Sequence, residues 1–343
     1  MSGRNIFIGL IVLITALGPA ISGHAASSGP DTQKAPVSMA VEFMDHAAAA
    51  FVCLEKGWFD AAGLDVKSYE TYVTGMALAS ALARGDIDAA FICLIPAINA
   101  YSNAGVPISI IAGTHKHGYG LVARRAVVAG VKDLEKAGVR LGCVREGGAV
   151  DVLLNKAMDV YRLDKITISS RLQRMSPARQ VMAIHTNQLD AAVLPEQWAT
   201  MAESADGCRM LFTSQDVWPD MQGSVLVVKK TMIQKRPDAA RKLIAALKKA
   251  TAWINQHPRQ AADVVSRQLQ RAEGGKIQDV SAAGPAAITP EVLARSMDRL
   301  NYTTNIDPGA VQATIDFMAE LGYIKKAFKA GDLLDLRFLK EAR

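Results

Sequence analysis

The chain repeats one short motif, RGDIDAAFI at residues 84–92 and TNQLDAAVL at residues 186–194, both built on Asp-Ala-Ala. An amphipathic stretch precedes each copy, MALASALA at 76–83 and ARQVMAIH at 178–185. A proline at the expected start of a helix follows each copy, Pro96 and then Pro195. A helix, a short apolar strand and another helix in this order are typical of βαβ units. The repetition therefore predicts two similar α/β units in one chain.

The segments around the two copies alternate between strands and helices in the same order. Strands are predicted at residues 37–43, 63–71, 88–94 and 107–113, and then at 118–124, 139–144, 166–172, 190–194, 209–213 and 224–230. Helices are predicted at residues 47–59, 76–84 and 96–105, and then at 131–138, 149–161, 176–187 and 195–204. Such alternation, in units of about 30 residues, predicts mainly parallel sheets. The expected fold class is α/β, with two lobes that each contain a mainly parallel sheet flanked by helices.

After residue 230 the alternation ends and helices predominate. The stretch 236–258 has apolar residues on one helical face, and Thr289-Pro290 and Asp307-Pro308 are typical helix starts. Residues 271–287 are rich in glycine and alanine without periodicity, and are predicted to form an exposed connection. The apolar tail at 332–343 is expected to dock on the first lobe.

The length of the chain also indicates two lobes, because a single hydrophobic core stops growing at roughly 250–300 residues. We expect residues 36–118 and 226–343 to form the first lobe and residues 119–225 to form the second. The chain would then cross between the lobes near residues 117–121 and 222–225. Gly118, Gly120 and Gly223 could absorb the changes in backbone dihedral angle at these crossings.

The first residues have the features of a cleaved secretory signal peptide, predicted at residues 1–26. Arg4 precedes the apolar run IFIGLIVLITALG at 6–18, which is shorter than the ~20 residues of a membrane-spanning helix. Pro19 ends the run, and small residues follow at 23–26. No cysteine lies near the cleavage site, so we expect a periplasmic protein without a lipid anchor. A retained membrane anchor is the alternative.

Charge and motifs argue against several classes of protein. The formal net charge is +6, and its basic residues are scattered without a stripe that would bind nucleic acid. The chain contains no G-x-S-x-G, P-loop, H-E-x-x-H or C-x-x-C motif. Gly118, Gly120 and Ala123 imitate a dinucleotide fingerprint, but they fall at the start of a strand. We therefore predict no enzyme, no cofactor and no nucleic-acid partner.

The four cysteines, Cys53, Cys93, Cys143 and Cys208, leave two alternatives open. Four cysteines allow three disulfide pairings, whereas the apolar surroundings of the first three suit buried free thiols equally well. A second question concerns metal, since imidazole and thiolate groups bind transition metals. The candidate metal ligands are His46, His115, His117, Cys93 and Cys143. His115 and His117 can equally be ordinary polar residues of a hinge, so no metal is predicted.

The candidate binding residues follow from the rule that open parallel sheets bind ligands at the carboxyl ends of their strands. If the two lobes face each other, these ends line one cleft. Gly147 and Gly148 precede a helix, so backbone N–H groups there could bind an anion. Asp45 and Glu146 could form an acid–base pair or, more simply, bind a ligand through hydrogen bonds. The predicted ligand-binding residues are Asp45, His46, Thr74, Gly75, Cys93, Leu94, Ile95, Thr114, His115, Gly147, Gly148 and Glu196.

Four segments resemble the periplasmic substrate-binding proteins of ABC importers, in the nitrate/sulfonate/taurine branch that also contains binders of thiamine-pyrimidine precursors. They are EKGWFDAAGLDV (55–66), TGMALASALARGDIDAAF (74–91), GVPISIIAG (105–113) and QLDAAVLPEQWA (188–199). The resemblance extends from residue 36 to the end of the chain. It implies a type II periplasmic-binding fold with two crossings, a solute bound between the lobes, a membrane permease as partner, and a monomeric receptor.

Charge guides the choice of solute. Three acids, Asp45, Glu146 and Glu196, are expected near the cleft and would repel a bare anion unless Arg145 or another basic residue compensates. An uncharged or zwitterionic solute with N–H groups, such as a pyrimidine-like heterocycle, is therefore favoured over a sulfonate- or nitrate-like anion. The alternatives are an enzyme or metal-binding protein on the same fold, similar to a pyrimidine-precursor synthase, and an extracytoplasmic solute sensor.

Overall fold

The computed structural model describes residues 34–276 and 287–341. The predicted signal peptide lies outside these residues, as does most of the predicted exposed connection at 271–287. The first part of that connection, up to residue 276, is helical. Within the described ranges, no helix is both long enough and apolar enough to cross a membrane.

The first part of the chain forms strands and helices in alternation. These elements are β1 (Ala35–Glu42), α1 (Ala48–Glu55), α2 (Trp58–Ala61), β2 (Leu64–Tyr72), α3 (Gly75–Arg84), β3 (Ala89–Cys93), α4 (Leu94–Ser102) and β4 (Ile108–His117). A 3₁₀ helix at Asp45–Ala47 precedes α1. The helix predicted at 47–59 is divided because Gly57 adopts a left-handed conformation, with φ of 63°.

The second part begins after Gly118, the one residue that separates β4 from β5. Its elements are β5 (Tyr119–Arg124), β6 (Leu141–Cys143), α5 (Ala149–Val160), α6 (Lys165–Ser169), β7 (Leu172–Arg174), α7 (Pro177–His185), β8 (Ala191–Pro195), α8 (Glu196–Glu203), β9 (Cys208–Thr213) and α9 (Ser214–Val217). A 3₁₀ helix at Val131–Glu135 replaces the α-helix predicted at 131–138.

The last part is mostly helical, as predicted. It contains β10 (Gln222–Lys229), α10 (Lys230–Lys235), α11 (Pro237–Gln256), α12 (Pro258–Lys276), α13 (Pro290–Met297), β11 (Leu300–Tyr302), α14 (Pro308–Glu320), α15 (Ala330–Leu333) and α16 (Arg337–Glu341). The side chains of Thr289 and Asp307 cap α13 and α14 at the predicted starts. The tail docks where expected, since Asp335 N–H donates to Ile110 O in β4 at 2.8 Å.

The strands form two sheets, and we call the part of the fold around each sheet a lobe. The first lobe contains a six-stranded sheet of order β11-β4-β10-β3-β1-β2, and the second a five-stranded sheet of order β7-β6-β8-β5-β9. Helices cover both faces of each sheet, which explains why the strands are apolar on both sides. In β10, for example, Leu226 and Val228 face one core cluster and Val225 and Val227 the other. The predicted α/β class is confirmed.

The sheets are mixed, and most strands in each run in the same direction, as predicted. β1 pairs in parallel with β2 and β3, whereas β10 lies antiparallel between β3 and β4. In the second lobe β5 lies antiparallel between β8 and β9. β5 and β10 are antiparallel to their neighbours because each starts at a crossing between the lobes and runs away from it. The strands on either side of them run towards that junction.

The repeated Asp-Ala-Ala motif has the same structural role in both lobes. The N–H of Asp88 donates to Ser38 O at 2.8 Å, and the N–H of Ser38 donates to the Asp88 carboxylate at 3.2 Å. Asp190 exchanges the same pair of bonds with Arg140, both at 2.9 Å. Each aspartate precedes the inner strand of its sheet and fixes the register of the neighbouring parallel strand. The repeat thus marks equivalent positions in two similar units.

One predicted strand, at 166–172, is wrong. Residues Lys165–Ser169 form α6, because the Asp164 side chain accepts hydrogen bonds from the N–H groups of Ile166 and Thr167 and caps a helix. Ile166 is 83% exposed, so its alternation with polar residues does not mark a buried face. The strand in this region is β7, which starts at Leu172.

The first crossing between lobes is a single residue. Gly118 lies between β4 and β5 with φ of 93°, and its carbonyl accepts hydrogen bonds from His46 Nε2–H and Glu196 N–H. The second crossing returns through α9 to β10. Strand β10 pairs in the first sheet from Gln222 onwards, so residues 222–225, predicted as a hinge, form part of that sheet. The exact lobe boundaries stay a prediction.

Candidate functional site

A cleft opens where the strands of both sheets end, and it encloses about 450 Å³ of atom-free space that includes its open mouth. Its walls are mostly apolar, with a few polar groups from each lobe. The lining residues are Glu42, Met44, Val73, Thr74, Gly75, Met76, Cys93, Pro96, Val144, Arg145, Gly148, Ala149, Val150, Pro177 and Pro195.

The cleft brings four of the predicted site residues together. Thr74 and Gly75 follow β2, Cys93 ends β3, and Gly148 comes from the opposite lobe. Thr74 and Cys93 share one wall because the ends of parallel strands meet at one edge of a sheet, and Gly148 belongs to the wall formed by the other lobe. Whether these residues bind ligand stays a prediction.

Two helices, one from each lobe, start at the cleft. Thr74 caps α3, and its side-chain oxygen accepts a hydrogen bond from Ala77 N–H at 3.3 Å. Gly148 is the N-cap of α5 and offers no side chain to cap it. The first N–H groups of a helix have no acceptor within the helix and attract negative charge. Together, α3 and α5 present such groups to the same space.

The donors at the start of α5 differ from those predicted. The N–H of Gly147 donates to the Asp151 carboxylate at 3.0 Å, and that of Gly148 donates to Arg145 O at 3.2 Å. The N–H groups left to face a ligand belong to the first helical residues, Ala149 and Val150, which both line the cleft. The N–H groups available for an anion are therefore those of Ala149 and Val150, two residues further along the chain than the predicted Gly147 and Gly148.

Glu42 is a lining residue that the sequence prediction missed. Its carboxylate accepts hydrogen bonds from the N–H of Cys93 at 3.1 Å and from the Cys93 thiol at 2.8 Å. Burial raises the pKa of Glu42 to about 7, although both Cys93 bonds act in the opposite direction. The available signal was one acid at the end of an otherwise apolar strand, VSMAVEF at 37–43. Buried acids are rare unless they are paired or functional.

His46 lies beside Glu42 and Cys93 behind the wall of the cleft. Its Nε2–H donates to Gly118 O at 2.8 Å, which leaves Nδ1 unprotonated, 3.5 Å from the Cys93 sulfur. Burial lowers the pKa of His46 to about 4, so the imidazole is neutral at neutral pH. The His115 ring packs against it, with ring centroids 4.3 Å apart and ring planes tilted by 52°. Burial raises the pKa of the Cys93 thiol, so this thiol keeps its proton in the structure described.

Several predicted site residues lie behind the cleft and do not line it. Leu94, Ile95, Thr114 and His115 are buried in the first lobe. Gly147 lies at the contact between lobes, where its carbonyl accepts a hydrogen bond from Asn99 Nδ2 at 3.0 Å. A direct contact of these residues with a ligand stays a prediction.

Asp45 and Glu196 also lie away from the cleft, at the contact of α8 with α13. The Asp45 carboxylate accepts a hydrogen bond from the Ser296 hydroxyl, and Asp45 N–H donates to Gln197 Oε1 at 3.0 Å. Glu196 pairs with Arg299 at 2.9 Å. Glu146 is exposed. The charges lining the cleft are therefore Glu42 and Arg145, which corrects the argument that three acids surround the ligand.

The two lobes also touch beside α5. Tyr323 follows α14 of the first lobe, and its hydroxyl donates to Asp151 of α5 at 2.5 Å. Asn155 Nδ2 donates to the same hydroxyl at 3.3 Å, and Arg174 pairs with Asp151 from the other side. We call Tyr323, Asp151 and Asn155 the latch. Its hydrogen bonds link the two lobes.

A two-lobed fold with a cleft at the strand ends agrees with the family comparison, in which the model of the NMT1-like family matches residues 31–269. The chain belongs to the NMT1-like family. The match covers the whole second lobe and the strands of the first, apart from β11. A Brucella abortus protein whose name calls it a binding protein is 24% identical over 263 residues, covering 72% of this chain and 75% of that protein.

Solved structures show the same fold for this NMT1-like chain. The alkanesulfonate-binding protein SsuA of Xanthomonas axonopodis, bound to MOPS, superposes with a TM-score of 0.71 at 14% identity, covering 89% of this chain and 99% of that one. The nitrate-binding protein NrtA of Synechocystis gives 0.71 at 15% identity, with 90% and 88% covered. A zinc-bound ligand-binding component of an ABC-type import system from Staphylococcus aureus gives 0.72 at 17% identity, with 90% and 99% covered. This is the fold of periplasmic binding proteins.

Proposed function

We propose that the protein is an extracytoplasmic receptor that binds a small polar solute between its lobes and delivers it to the permease of an ABC importer. The observation that supports this most is the cleft itself, formed by strand ends of two lobes that are joined at one end by short crossings. Of the solved proteins of the same fold named above, one binds alkanesulfonates and one binds nitrate. The third is the ligand-binding component of an ABC-type import system.

The lining of the cleft indicates the chemistry of the solute. The starts of α3 and α5 together with Arg145 favour one anionic group. Glu42, which lies beside the start of α3, favours a group that donates a hydrogen bond, and the surrounding Met, Val and Pro side chains favour an apolar body. A small zwitterion, such as an amino-substituted sulfonate or carboxylate, satisfies all three. A neutral heterocycle with N–H groups would use Glu42 but leave the helix starts without a partner.

Closure of the lobes would couple binding to transport. A solute that contacts both α3 and α5 binds the closed state more tightly, and therefore shifts the equilibrium between open and closed forms. Gly118 is the natural pivot, because it joins the two sheets directly and already adopts a left-handed conformation. A permease could then distinguish the closed receptor from the open one.

Calorimetric titration and thermal melting with defined solutes test this proposal. We expect MOPS or a smaller aminosulfonate to bind at one site and raise the melting temperature, because a ligand at ~100 times its Kd stabilises a protein by about 2.7 kcal/mol. Nitrate should bind more weakly, since it offers neither an apolar body nor a donor for Glu42. Native mass spectrometry of protein purified without refolding would identify a solute that copurifies. A protein that carries no solute and responds to no member of the panel would contradict the proposal.

We also propose that the protein works in the periplasm as a monomer after removal of residues 1–26. The mature protein should appear in the periplasmic fraction with an N-terminus near Ser27, and its mass in solution should be that of one chain. Retention of the N-terminal segment in the membrane fraction would favour an anchored receptor instead.

A further inference from the structure

Three side chains that could bind a metal converge beside the cleft. Glu42 ends β1, His46 belongs to the 3₁₀ helix that follows, and Cys93 ends β3. β1 and β3 are paired in parallel, so their ends lie next to each other. One ligand atom from each residue lies within 4.8 Å of the other two.

We propose that Glu42, His46 and Cys93 form a binding site for a divalent transition metal, with Zn²⁺ as its best match. A thiolate, an imidazole and a carboxylate are all ligands that Zn²⁺ accepts in a tetrahedral arrangement. The thiolate and the imidazole argue against Mg²⁺ and Ca²⁺, which prefer oxygen ligands. The site concerns residues that no comparison assigns a role.

The groups around the three ligands already orient them for a metal. Gly118 O accepts the Nε2–H of His46, which directs the lone pair of Nδ1 towards the Cys93 sulfur 3.5 Å away. Such a bond to the distal nitrogen is the usual way in which proteins fix a metal-binding histidine. The N–H of Cys93 binds Glu42 Oε1, so that Oε2 points to the sulfur at 2.8 Å.

The site would have one open coordination position. Three protein ligands are fewer than the four of a structural zinc site, and this is typical of sites that bind a further ligand. Glu42 and Cys93 line the cleft, so the open position faces the space where a solute would lie. Binding of Zn²⁺ replaces the thiol proton, and one proton is released for each metal bound. The metal would balance the charges of both anionic ligands.

A second observation is that, among the described residues, a buried nitrogen atom near His46 lacks a hydrogen-bond partner. His115 packs against His46, and its buried Nε2 has no hydrogen-bond partner within the part of the chain that the structure describes. Unpartnered buried nitrogen atoms are rare in folded proteins.

Titration of the chelator-stripped full chain with Zn²⁺ and with Co²⁺ tests the site. We expect one equivalent of Zn²⁺ to bind with release of about one proton. Co²⁺ should give the near-ultraviolet charge-transfer band of a cobalt–thiolate bond and the visible bands of a tetrahedral site. Cys93→Ser should abolish the charge-transfer band, and Glu42→Gln should weaken Zn²⁺ binding at least ~10-fold.

Cys53→Ser is the matched control, because Cys53 is equally buried but lies in α1 with its thiol bonded to Ala246 O at 3.4 Å. This variant should keep the cobalt–thiolate band and the Zn²⁺ affinity. Absence of the band in the unmodified protein would overturn the proposal, even if the variants fail to fold. Persistence of the band in folded Cys93→Ser would do the same. The metal alone is the probe, so this outcome does not depend on whether the solute proposal is correct.

Discussion

The two repeated aspartates differ in the residues that surround their carboxylates. Arg140 binds Asp190 with two side-chain hydrogen bonds, at 2.9 and 2.7 Å, and the Asp190 side chain is 5% exposed. Asp88 is 23% exposed and pairs with Arg236 at 3.2 Å. Hydrogen bonds to charged groups contribute more when they are bidentate and partly shielded from water. The same motif therefore stabilises the second lobe more than the first.

We predict that Asp190→Asn lowers the free energy of unfolding by about 2 kcal/mol, because it removes charged hydrogen bonds worth roughly 1.5–3 kcal/mol each from a shielded position. Asp88→Asn should cost about half as much. The Arg140 guanidinium lowers the pKa of Asp190, so the stabilisation is present at neutral pH and lost as the pH falls through that pKa. Urea unfolding at two pH values measures both effects. Equal losses at the two sites would contradict this assignment.

Gly75 is required by the close approach of Glu42. A Cβ atom at this position would lie 2.1 Å from Glu42 Oε1 and 2.5 Å from Pro96 Cγ. We predict that Gly75→Ala displaces the Glu42 carboxylate and weakens binding of an aminosulfonate, because overpacking costs typically ~1–3 kcal/mol. Calorimetric titration measures the affinity.

Gly130→Ala is the control for this prediction, because its Cβ would meet no atom within 4 Å. It should leave both affinity and stability unchanged. An unchanged affinity in folded Gly75→Ala would show that solute binding does not depend on the position of the Glu42 carboxylate.

At the scale of elements, the start of α5 can be tested without disturbing the helix. Gly148 has φ of −80° and ψ of 169°, a conformation that a residue before proline adopts readily. Proline is tolerated at the first helical position, where it removes one N–H group. We predict that Ala149→Pro weakens binding of an anionic solute ~10-fold or more, as expected for a lost hydrogen bond to a charged group.

Lys165→Pro provides the matched control, since Lys165 holds the first position of α6, whose N-cap Asp164 is also extended. It should leave solute affinity unchanged. Equal affinities of Ala149→Pro and the unmodified protein would exclude that helix start from the site.

At the scale of the whole molecule, the latch joins the segment after α14 to α5 through a few hydrogen bonds. The lobes are also joined elsewhere by α13, which contacts α12 in the first lobe and α8 in the second, and by Arg299, which pairs with Glu196 and Glu203. The lobes are therefore joined firmly on the side of α13 and by only a few hydrogen bonds on the side of Tyr323. Opening is expected on the latch side.

We predict that Tyr323→Phe favours the open form and speeds solute dissociation ~10-fold, because it removes the hydroxyl that links Asp151 and Asn155 to the first lobe. Small-angle scattering without solute should give a larger radius of gyration, and stopped-flow measurements give the dissociation rate. Tyr161→Phe is the control, because this tyrosine packs on Phe212 within the second lobe. Unchanged dissociation in Tyr323→Phe would remove the latch from the closure mechanism.

The failures of sequence prediction have a common physical origin. The strand at 166–172 was wrong because an exposed helix with an aspartate cap has the same alternation as a half-buried strand. Asp45 and Glu196 were expected in the cleft because they follow strands, but α13, distant in the chain, covers them. Glu42 was missed because its orientation towards the cleft depends on the space left by Gly75 in the next segment.

The order of strands and helices, the two-fold repeat and the strand ends that meet at the cleft were determined by the sequence itself. Hydrophobic periodicity, helix caps and glycine are local signals, and the edge at which parallel strands end follows from their order. Tertiary structure alone decided which polar groups at those ends line the cleft, which pair behind it, and which three side chains converge at the proposed metal site. These outcomes depend on contacts between residues far apart in the chain, and no local pattern records them.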